Sequence, residues 1–149
     1  MQHAGPKLRF ARTVLGTGPK VHYAEQGHPE GEVIVLFHGW PDSWCSFSPV
    51  LAMLPTRYHA VAFDQRGLGD SDRPACCYGI DDLAADLVVF LDAVGLRRAS
   101  LVGHSLGSLI ARRVAETRPD RVARLVLISS AVTAANKVLV AVQASLRTL

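Results

Sequence analysis

The sequence has few cysteines, few aromatic residues and no long uninterrupted run of apolar residues. Only three of its 149 residues are cysteine, too few for a disulfide framework, and the neighbours Cys76 and Cys77 are poorly placed to bridge each other. No stretch reaches the roughly 18 consecutive apolar residues of a membrane span, and the first residues contain no apolar signal core. We therefore expect no membrane-spanning helix and a reducing compartment, with the cytoplasm as the default.

Charged residues are also scarce, at 19% of the chain, and the net charge is +3. Residues 1–96 contain seven basic and eleven acidic side chains, whereas residues 97–149 contain nine basic and two acidic ones. The arginines of the second part are scattered singly or in pairs without interleaved aromatic residues, so the sequence does not predict nucleic-acid binding. With 49% hydrophobic residues, the composition is that of a globular domain.

Strand and helix patterns alternate along most of the chain. The continuous apolar run in Glu32–Phe37, closed by Gly39, predicts a parallel strand covered on both faces. A helix with apolar residues three and four positions apart is predicted to be capped by Asp81 or Asp82 and to end at Gly95. The other expected elements are strands at Leu8–Val14, Lys20–Glu25, Tyr58–Phe63, Ala99–Gly103 and Val122–Ile128, and helices within Ser43–Leu54 and at Leu106–Thr117. This alternation predicts an α/β domain around a mainly parallel sheet flanked by helices, with functional groups at the carboxyl ends of the strands.

A G-x-S-x-G sequence lies between a predicted buried strand and a predicted amphipathic helix. It comprises Gly103, His104, Ser105, Leu106 and Gly107. Strand–turn–helix is the context that a nucleophile elbow requires: the tight turn excludes side chains at both glycines and exposes the serine hydroxyl at a helix N-terminus. We therefore identify Ser105 as the candidate nucleophile.

A second glycine turn, with His38 and Gly39 followed by Trp40, ends the strand Glu32–Phe37. An oxyanion hole needs backbone donors from two segments, and Gly39 lets this turn bend inward. The N–H groups of Trp40 and Leu106 are the natural pair.

Three motifs in this order resemble the N-terminal part of an α/β-hydrolase-fold enzyme, and are similar in detail to the epoxide hydrolase and haloalkane dehalogenase branch. They are His38-Gly39-Trp40-Pro41-Asp42-Ser43-Trp44, the segment Asp64–Pro74, and Gly103–Gly107. The resemblance implies that the segment beginning at Asp64 is structural. It also implies an Asp nucleophile in that branch. Since this sequence has Ser105 instead, acyl transfer is the better interpretation.

The resemblance also implies a later acid and a later histidine, in the chain order Ser, Asp or Glu, His. Here the last acidic residue is Asp120 and the last histidine is His104, which precedes the candidate nucleophile. The triad is therefore incomplete in this sequence, as in a chain truncated after about the sixth strand. His38 is the one histidine expected to approach Ser105, although a structural role in its turn is the stronger interpretation. His104 is expected to point away from Ser105, into packing.

The resemblance divides the chain into residues 1–133, the N-terminal part of the hydrolase core, and the apolar tail 134–149, where the family inserts a cap. Without later strands, the strand Val122–Ile128 is an unprotected edge, and we expect self-association through this strand and the tail. The cysteines have no zinc spacing and are expected to be one packed thiol, Cys45, and two loop thiols. Trp40 and Trp44 either line a substrate cleft or pack the first helix.

The function that these residues indicate is hydrolysis of a carboxylic ester, lactone or similar small acyl substrate, without a cofactor or a metal. Three alternatives remain open at this point. The chain could be half of a split enzyme, a catalytically inactive binding module that keeps the fold, or an enzyme of the epoxide hydrolase or cofactor-free haloperoxidase type.

Overall fold

In the computed structural model, which describes residues 7–130, six strands form one mixed sheet. The strands are β1 (Arg9–Val14), β2 (Lys20–Gly27), β3 (Glu32–Phe37), β4 (Tyr58–Phe63), β5 (Ala99–His104) and β6 (Val122–Ile128). Their order in the sheet is β1-β2-β4-β3-β5-β6. The pairs β1–β2 and β2–β4 are antiparallel, and the pairs β3–β4, β3–β5 and β5–β6 are parallel. The predicted α/β fold with a mainly parallel sheet is therefore confirmed.

Helices cover both faces of the sheet. They are α1 (Ser48–Met53), α2 (Ile80–Ala93) and α3 (Leu106–Thr117), with short 3-10 segments at Trp44–Phe47 and Pro119–Arg121. Strand β3 shows how the two faces are filled, because its side chains alternate. Val35 and Phe37 pack with the apolar residues of α2 and α3, whereas Leu36 packs with Phe47 and Leu51 on the side of α1. The continuous apolar run of β3 is thus buried from both sides, as predicted.

The start of α2 differs from the prediction that Asp81 or Asp82 is its N-cap. The helix begins at Ile80 with Gly79 as the N-cap residue, and the Asp82 carboxylate accepts the Gly79 N–H at 3.0 Å. Asp82 is three residues after the N-cap, and its carboxylate provides the acceptor that the Gly79 N–H would otherwise lack. Its negative charge is also favourable at the N-terminal end of the helix dipole. At the other end, Gly95 adopts a φ of +73°, as the predicted stop requires.

The cysteines are not arranged as predicted. Cys76 and Cys77 form a disulfide, and Cys45 is exposed rather than packed. Cys77 has a φ of +73°, and its carbonyl accepts a hydrogen bond at 2.8 Å from Nη1 of the buried Arg66. The positive φ places Cys77 outside ordinary strand and helix geometry.

Two further expectations, on membrane-spanning helices and on metal ligands, can be compared with the described residues only. None of the described helices combines the length and the apolar composition needed to cross a membrane. Within residues 7–130, no three His, Cys, Asp or Glu side chains are grouped so as to hold a metal ion. The predicted boundary at residue 133 and the apolar tail 134–149 lie outside the described residues.

The parallel strands β3, β4 and β5 end at the same edge of the sheet. Strands β3 and β4 lead from Phe37 and Phe63 directly into two of the segments that resemble family motifs, and the third segment, Gly103–Gly107, begins within β5. Because carboxyl ends of neighbouring parallel strands meet at one edge, the fold gathers these segments into one region.

Candidate active site

Ser105 occupies a sharp turn between β5 and α3. It is exposed, and its backbone has a φ of +51° and a ψ of −116°, a conformation that residues with side chains rarely adopt. Its N–H donates to the carbonyl of Ile128 on β6 at 3.0 Å, which ties the turn to the sheet. The strand–turn–helix context predicted for this serine is therefore present.

The two glycines of the motif are required by close backbone contacts. A Cβ on Gly103 would overlap the carbonyl oxygen of Gly107. A Cβ on Gly107 would overlap the carbonyl oxygen of Phe37, at the end of the neighbouring strand β3. Gly103 is therefore required by the turn itself, whereas Gly107 is required by the close approach of the adjacent strand β3.

The turn after β3 lies directly against Ser105. A Cβ added to Gly39 would be 3.0 Å from the Ser105 Cβ, so only a glycine allows this approach without displacing a neighbour. The following Trp40–Pro41 peptide bond is cis. The predicted turn and the candidate nucleophile are thus neighbours in the fold.

The orientation of the Trp40 N–H is determined by the carbonyl that precedes it. The Gly39 carbonyl accepts from the His38 Nδ1 at 2.9 Å and from the Asp42 N–H at 3.0 Å. Since the Gly39–Trp40 peptide is trans and planar, the Trp40 N–H points away from these two donors. Within residues 7–130 this amide donates no hydrogen bond to another protein group.

The Leu106 N–H is the second amide predicted for the oxyanion hole. Leu106 is the first residue of α3, and the first N–H groups of a helix have no acceptor within it. The amide therefore lies one residue after Ser105, at the positive end of the dipole of a 12-residue helix. It is suitably placed to bind a developing negative charge.

His38 is held by hydrogen bonds at both ring nitrogens. Its Nδ1 donates to the Gly39 carbonyl, and its Nε2 accepts the Gln65 N–H at 3.2 Å, so the ring is neutral with its proton on Nδ1. The side chain is fully buried, and burial lowers its pKa below the ordinary value of 6.5. Because neither nitrogen is free to accept a proton from Ser105, the geometry favours the structural role of His38.

Gln65 is a site residue that the sequence analysis did not single out. Its side-chain Nε2 donates to the His38 carbonyl at 2.6 Å, while its own N–H bonds to the His38 ring. These two bonds connect the end of β4 to the turn after β3. The only available signal was its place beside Asp64 in a recognised motif, and that motif was interpreted as a loop.

The buried His38 is expected to make the protein less stable in acid. The unfolded chain takes up a proton at His38 near pH 6.5, whereas the folded chain does so only at lower pH. As the pH falls below this value, the free energy of unfolding should decrease by up to about 1.4 kcal/mol per pH unit. Urea unfolding at pH 7 and pH 5 measures the loss. The variant His38→Asn, whose side-chain amide can still donate to Gly39, should lose less over the same interval. An equal loss in both proteins would contradict this assignment.

The His104 ring lies beside the turn after β3, and the expectation that it points away from Ser105 stays a prediction. A Cβ on Gly39 would be 3.2 Å from the His104 Nδ1, so this ring nitrogen lies close to the Gly39 turn. The reason is strand alternation: His104 is two residues after Val102, which packs on the same side of the sheet as α1. Because glycine has no side chain, Gly39 leaves space for the His104 ring at the end of β5.

The other described histidines have partners away from Ser105. His22 bonds to the Asp64 carboxylate at 2.9 Å, His59 to the Glu25 carboxylate at 2.6 Å, and the His28 ring accepts the Glu30 N–H at 3.2 Å. His3 lies outside the described residues. The structure therefore brings His38 and His104 to the turn that contacts Ser105, and of these two only His104 has no hydrogen bond to a ring nitrogen within residues 7–130.

Trp40 and Trp44 have different environments, which the sequence did not distinguish. Trp44 packs edge-to-face on Phe10 with ring centroids 5.1 Å apart, and it joins the apolar cluster on the side of α1. Trp40 is 69% exposed, beside the turn that contacts Ser105. Trp44 is therefore a packing residue, and Trp40 is the indole available to a ligand.

Asp64 organises the loop behind the site. Its buried carboxylate accepts the N–H of Trp44 at 2.7 Å, the N–H of Asp70 at 3.0 Å and a ring nitrogen of His22 at 2.9 Å. Gly69 has a φ of +52°, and a side chain there would overlap this carboxylate. These hydrogen bonds hold the loop in shape, in agreement with the structural role that the resemblance implies for the segment beginning at Asp64.

Comparison with known proteins identifies the family. A family model described as the alpha/beta hydrolase fold matches residues 32–147. The chain belongs to this family. The α/β-hydrolase chain is 35% identical to epoxide hydrolase 4 of Mus musculus over 78% of its own length and 33% of that protein. It is 38% identical to a non-heme chloroperoxidase of Streptomyces lividans, over 76% of the chain and 42% of that protein.

A solved structure of an epoxide hydrolase from Vigna radiata superposes on this α/β-hydrolase chain with a TM-score of 0.78 and 31% identity. The match covers 92% of the chain and 42% of the solved structure. The predicted similarity to the epoxide hydrolase branch is therefore confirmed. The chain spans less than half the length of each of these relatives.

Proposed function

We propose that this chain provides the nucleophile and the oxyanion hole of a serine hydrolase that acts on carboxylic esters, lactones or similar small acyl substrates. Ser105 supports the proposal most directly, because this exposed serine with a positive φ precedes a helix and lies against a second turn. Within residues 7–130, the Trp40 amide of that turn donates no hydrogen bond to another protein group. The proposed reaction needs neither a cofactor nor a metal.

In the proposed reaction, the Ser105 oxygen attacks the acyl carbonyl carbon while a base removes the hydroxyl proton. The carbonyl oxygen becomes negatively charged and is bound by the N–H groups of Trp40 and Leu106. Collapse of the tetrahedral intermediate breaks the bond to the leaving alcohol, which receives the proton, and leaves Ser105 acylated. Water then releases the acid by the same steps in reverse order.

The base and the acid of this reaction are proposed to come from outside the 149 residues. The sequence has no acidic residue after Asp120 and no histidine after His104, whereas a serine hydrolase of this fold has both after its nucleophile. The residues described here thus account for the attacking group and for stabilisation of the oxyanion, but not for proton transfer.

An activity of the epoxide hydrolase type is the second candidate, because the names of similar proteins point to it. The resemblance implies an Asp nucleophile for that chemistry, with an alkyl ester as the intermediate. Ser105 cannot form that intermediate, since a serine that attacks an epoxide carbon gives an ether, which water does not readily cleave. The residue at position 105 therefore favours acyl transfer.

Covalent labelling of Ser105 tests the proposal. The chain is co-expressed with the part of the Streptomyces lividans chloroperoxidase that follows its matched region, and the isolated complex is treated with a fluorophosphonate. We expect labelling of the complex and none in the variant Ser105→Ala. Ser129→Ala is the matched control, because Ser129 is also exposed and also has a φ of +51° at the end of the neighbouring strand β6. It should be labelled like the parent chain.

A folded complex that is not labelled at Ser105 would contradict the proposal and favour the inactive binding module. Labelling that persists in Ser105→Ala would assign the reactive serine elsewhere. Labelling of the isolated chain, lost in Ser105→Ala, would show that a base lies within these residues.

A further inference from the structure

Cys76 and Cys77 lie in the segment that joins the motif Asp64–Pro74 to helix α2, and we call residues 74–79 the cysteine loop. Both cysteines are exposed and are joined by a disulfide. The third cysteine of the chain, Cys45, is a free thiol. The loop therefore presents a disulfide to small molecules in solution, and the function proposed above uses neither of its two sulfur atoms.

The position of this disulfide favours a reactive role over a structural one. The stabilisation that a disulfide provides grows with the length of chain that it encloses, because the closed loop restricts the unfolded chain. Cys76 and Cys77 are successive residues, so their bond encloses no other residue and connects no two elements of the fold. An exposed disulfide is also accessible to thiolates, whose attack on a sulfur atom is the step by which disulfides form and break.

The cysteine loop is held in place by contacts that leave both cysteines exposed. The Cys77 carbonyl accepts a hydrogen bond from Arg66 Nη1 at 2.8 Å. Arg66 is itself fixed by two hydrogen bonds to the buried Asp86 carboxylate, at 2.5 and 2.6 Å. The next residue, Tyr78, lies against Gly67, because a Cβ on that glycine would be 2.6 Å from the Tyr78 ring. The loop is thus in contact with the segment that follows β4, on which the candidate site depends.

We propose that Cys76 and Cys77 form a thiol–disulfide exchange site for small thiols, and that the oxidation state of this pair determines the conformation of the cysteine loop. The thiolate of a small thiol attacks one of the two sulfur atoms. The S–S bond breaks, and the other cysteine leaves as a thiolate that takes up a proton. A second small thiol then attacks the mixed disulfide, which releases the disulfide of the small thiol and leaves two protein thiols.

This exchange transfers two electrons from the two small thiols to the protein. The reverse steps, with the disulfide of the small thiol as the oxidant, restore the bond between Cys76 and Cys77. The structure itself therefore needs to supply no further reactant, and the direction of the exchange follows the ratio of the small thiol to its disulfide.

The expected conformational change is centred on Cys77. Its φ of +73° lies in a region that residues with a side chain rarely adopt. In the oxidised chain the covalent bond to Cys76 restrains this backbone, and reduction removes that restraint. Cys77 is then free to leave the positive-φ region, which turns its carbonyl away from Arg66 and shifts the adjoining Tyr78 on Gly67.

Thiol counting in the native 149-residue chain tests the exchange. After equilibration with oxidised glutathione, iodoacetamide should modify one cysteine, Cys45, as counted by mass spectrometry. After treatment with reduced glutathione and no denaturant, it should modify all three. Cys45→Ser is the matched control, because it should lower both counts by one and leave the exchange intact.

Phenylarsine oxide provides a second measurement, since its arsenic atom binds two neighbouring thiolates and thiolates are the ligands that soft metals prefer. It should bind the reduced chain and not the oxidised one. Cys76→Ser should abolish this binding, whereas Cys45→Ser should leave it unchanged.

Backbone amide NMR signals test the control of the loop. Reduction should shift the Arg66 and Tyr78 signals and leave that of Leu101, buried in the central strand β5, in place. A double variant, Cys76→Ser with Cys77→Ser, should show the reduced positions with either form of glutathione. Circular dichroism checks that the variant is folded.

Three results would overturn the proposal. The first is three modified cysteines after equilibration with oxidised glutathione, which would show that the disulfide does not form in solution. The second is a single modified cysteine after glutathione reduction, rising to three only in denaturant, which would assign the disulfide a structural role. The third is reduction that leaves the Arg66 and Tyr78 signals unchanged, which would show that the oxidation state does not determine the loop conformation.

Discussion

The 149-residue chain alone is expected to hydrolyse p-nitrophenyl acetate barely above the uncatalysed rate. In the proposed function, Ser105 is the nucleophile and the Trp40 and Leu106 amides form the oxyanion hole, but no base is hydrogen-bonded to Ser105 within the described residues. Loss of the histidine and the acid of a serine triad lowers the rate by about 10⁴–10⁶ and leaves a small residue from binding and the oxyanion hole. Ser105→Ala should therefore change the measured rate little.

Rapid turnover that Ser105→Ala abolishes would contradict this expectation. In that case His104→Ala is the decisive second variant, because His104 lies over the turn that contacts Ser105. His38→Asn is its matched control, since both nitrogens of the His38 ring are already bonded. Loss of activity in the first variant and not in the second would assign the base to His104.

Replacing Gly107 with alanine should destabilise the fold strongly. The new Cβ would overlap the carbonyl group of Phe37, and β3 cannot move away because β4 and β5 pair with it on both sides. Overpacking against fixed atoms costs about 1–3 kcal/mol and occasionally more, and the rigid contact here places Gly107→Ala at about 3 kcal/mol or above. That is a large fraction of the stability of an ordinary domain.

Urea unfolding measures this loss, and Gly16→Ala is the control. A Cβ on Gly16 would have no atom within 4 Å, and the residue lies outside the positive-φ region, so the substitution should be close to neutral. Equal unfolding free energies for the two variants would show that the contact between the helix start and β3 is not close. The comparison separates this contact from the general effect of replacing a glycine.

The sequence alone determined the elements of this protein and their order. Apolar periodicity predicts α2 and a continuous apolar run predicts β3, because side-chain spacing along a helix or a strand is a local property of the backbone. The run of β3 predicted burial on both faces, and the glycines around Ser105 predicted a tight turn, since each follows from a few consecutive residues. These inferences required no knowledge of which segments meet.

The tertiary structure alone decided the roles of individual side chains at the site. His38 follows β3 and His104 ends the neighbouring strand β5. Only the fold places Gly39 and Gln65 on the two ring nitrogens of His38 and brings His104 beside the Gly39 turn. Likewise, the contact of Trp44 with Phe10 separates the packing indole from the exposed Trp40. Each of these roles depends on a partner tens of residues away or on one backbone angle, and neither is recorded in the local pattern of the sequence.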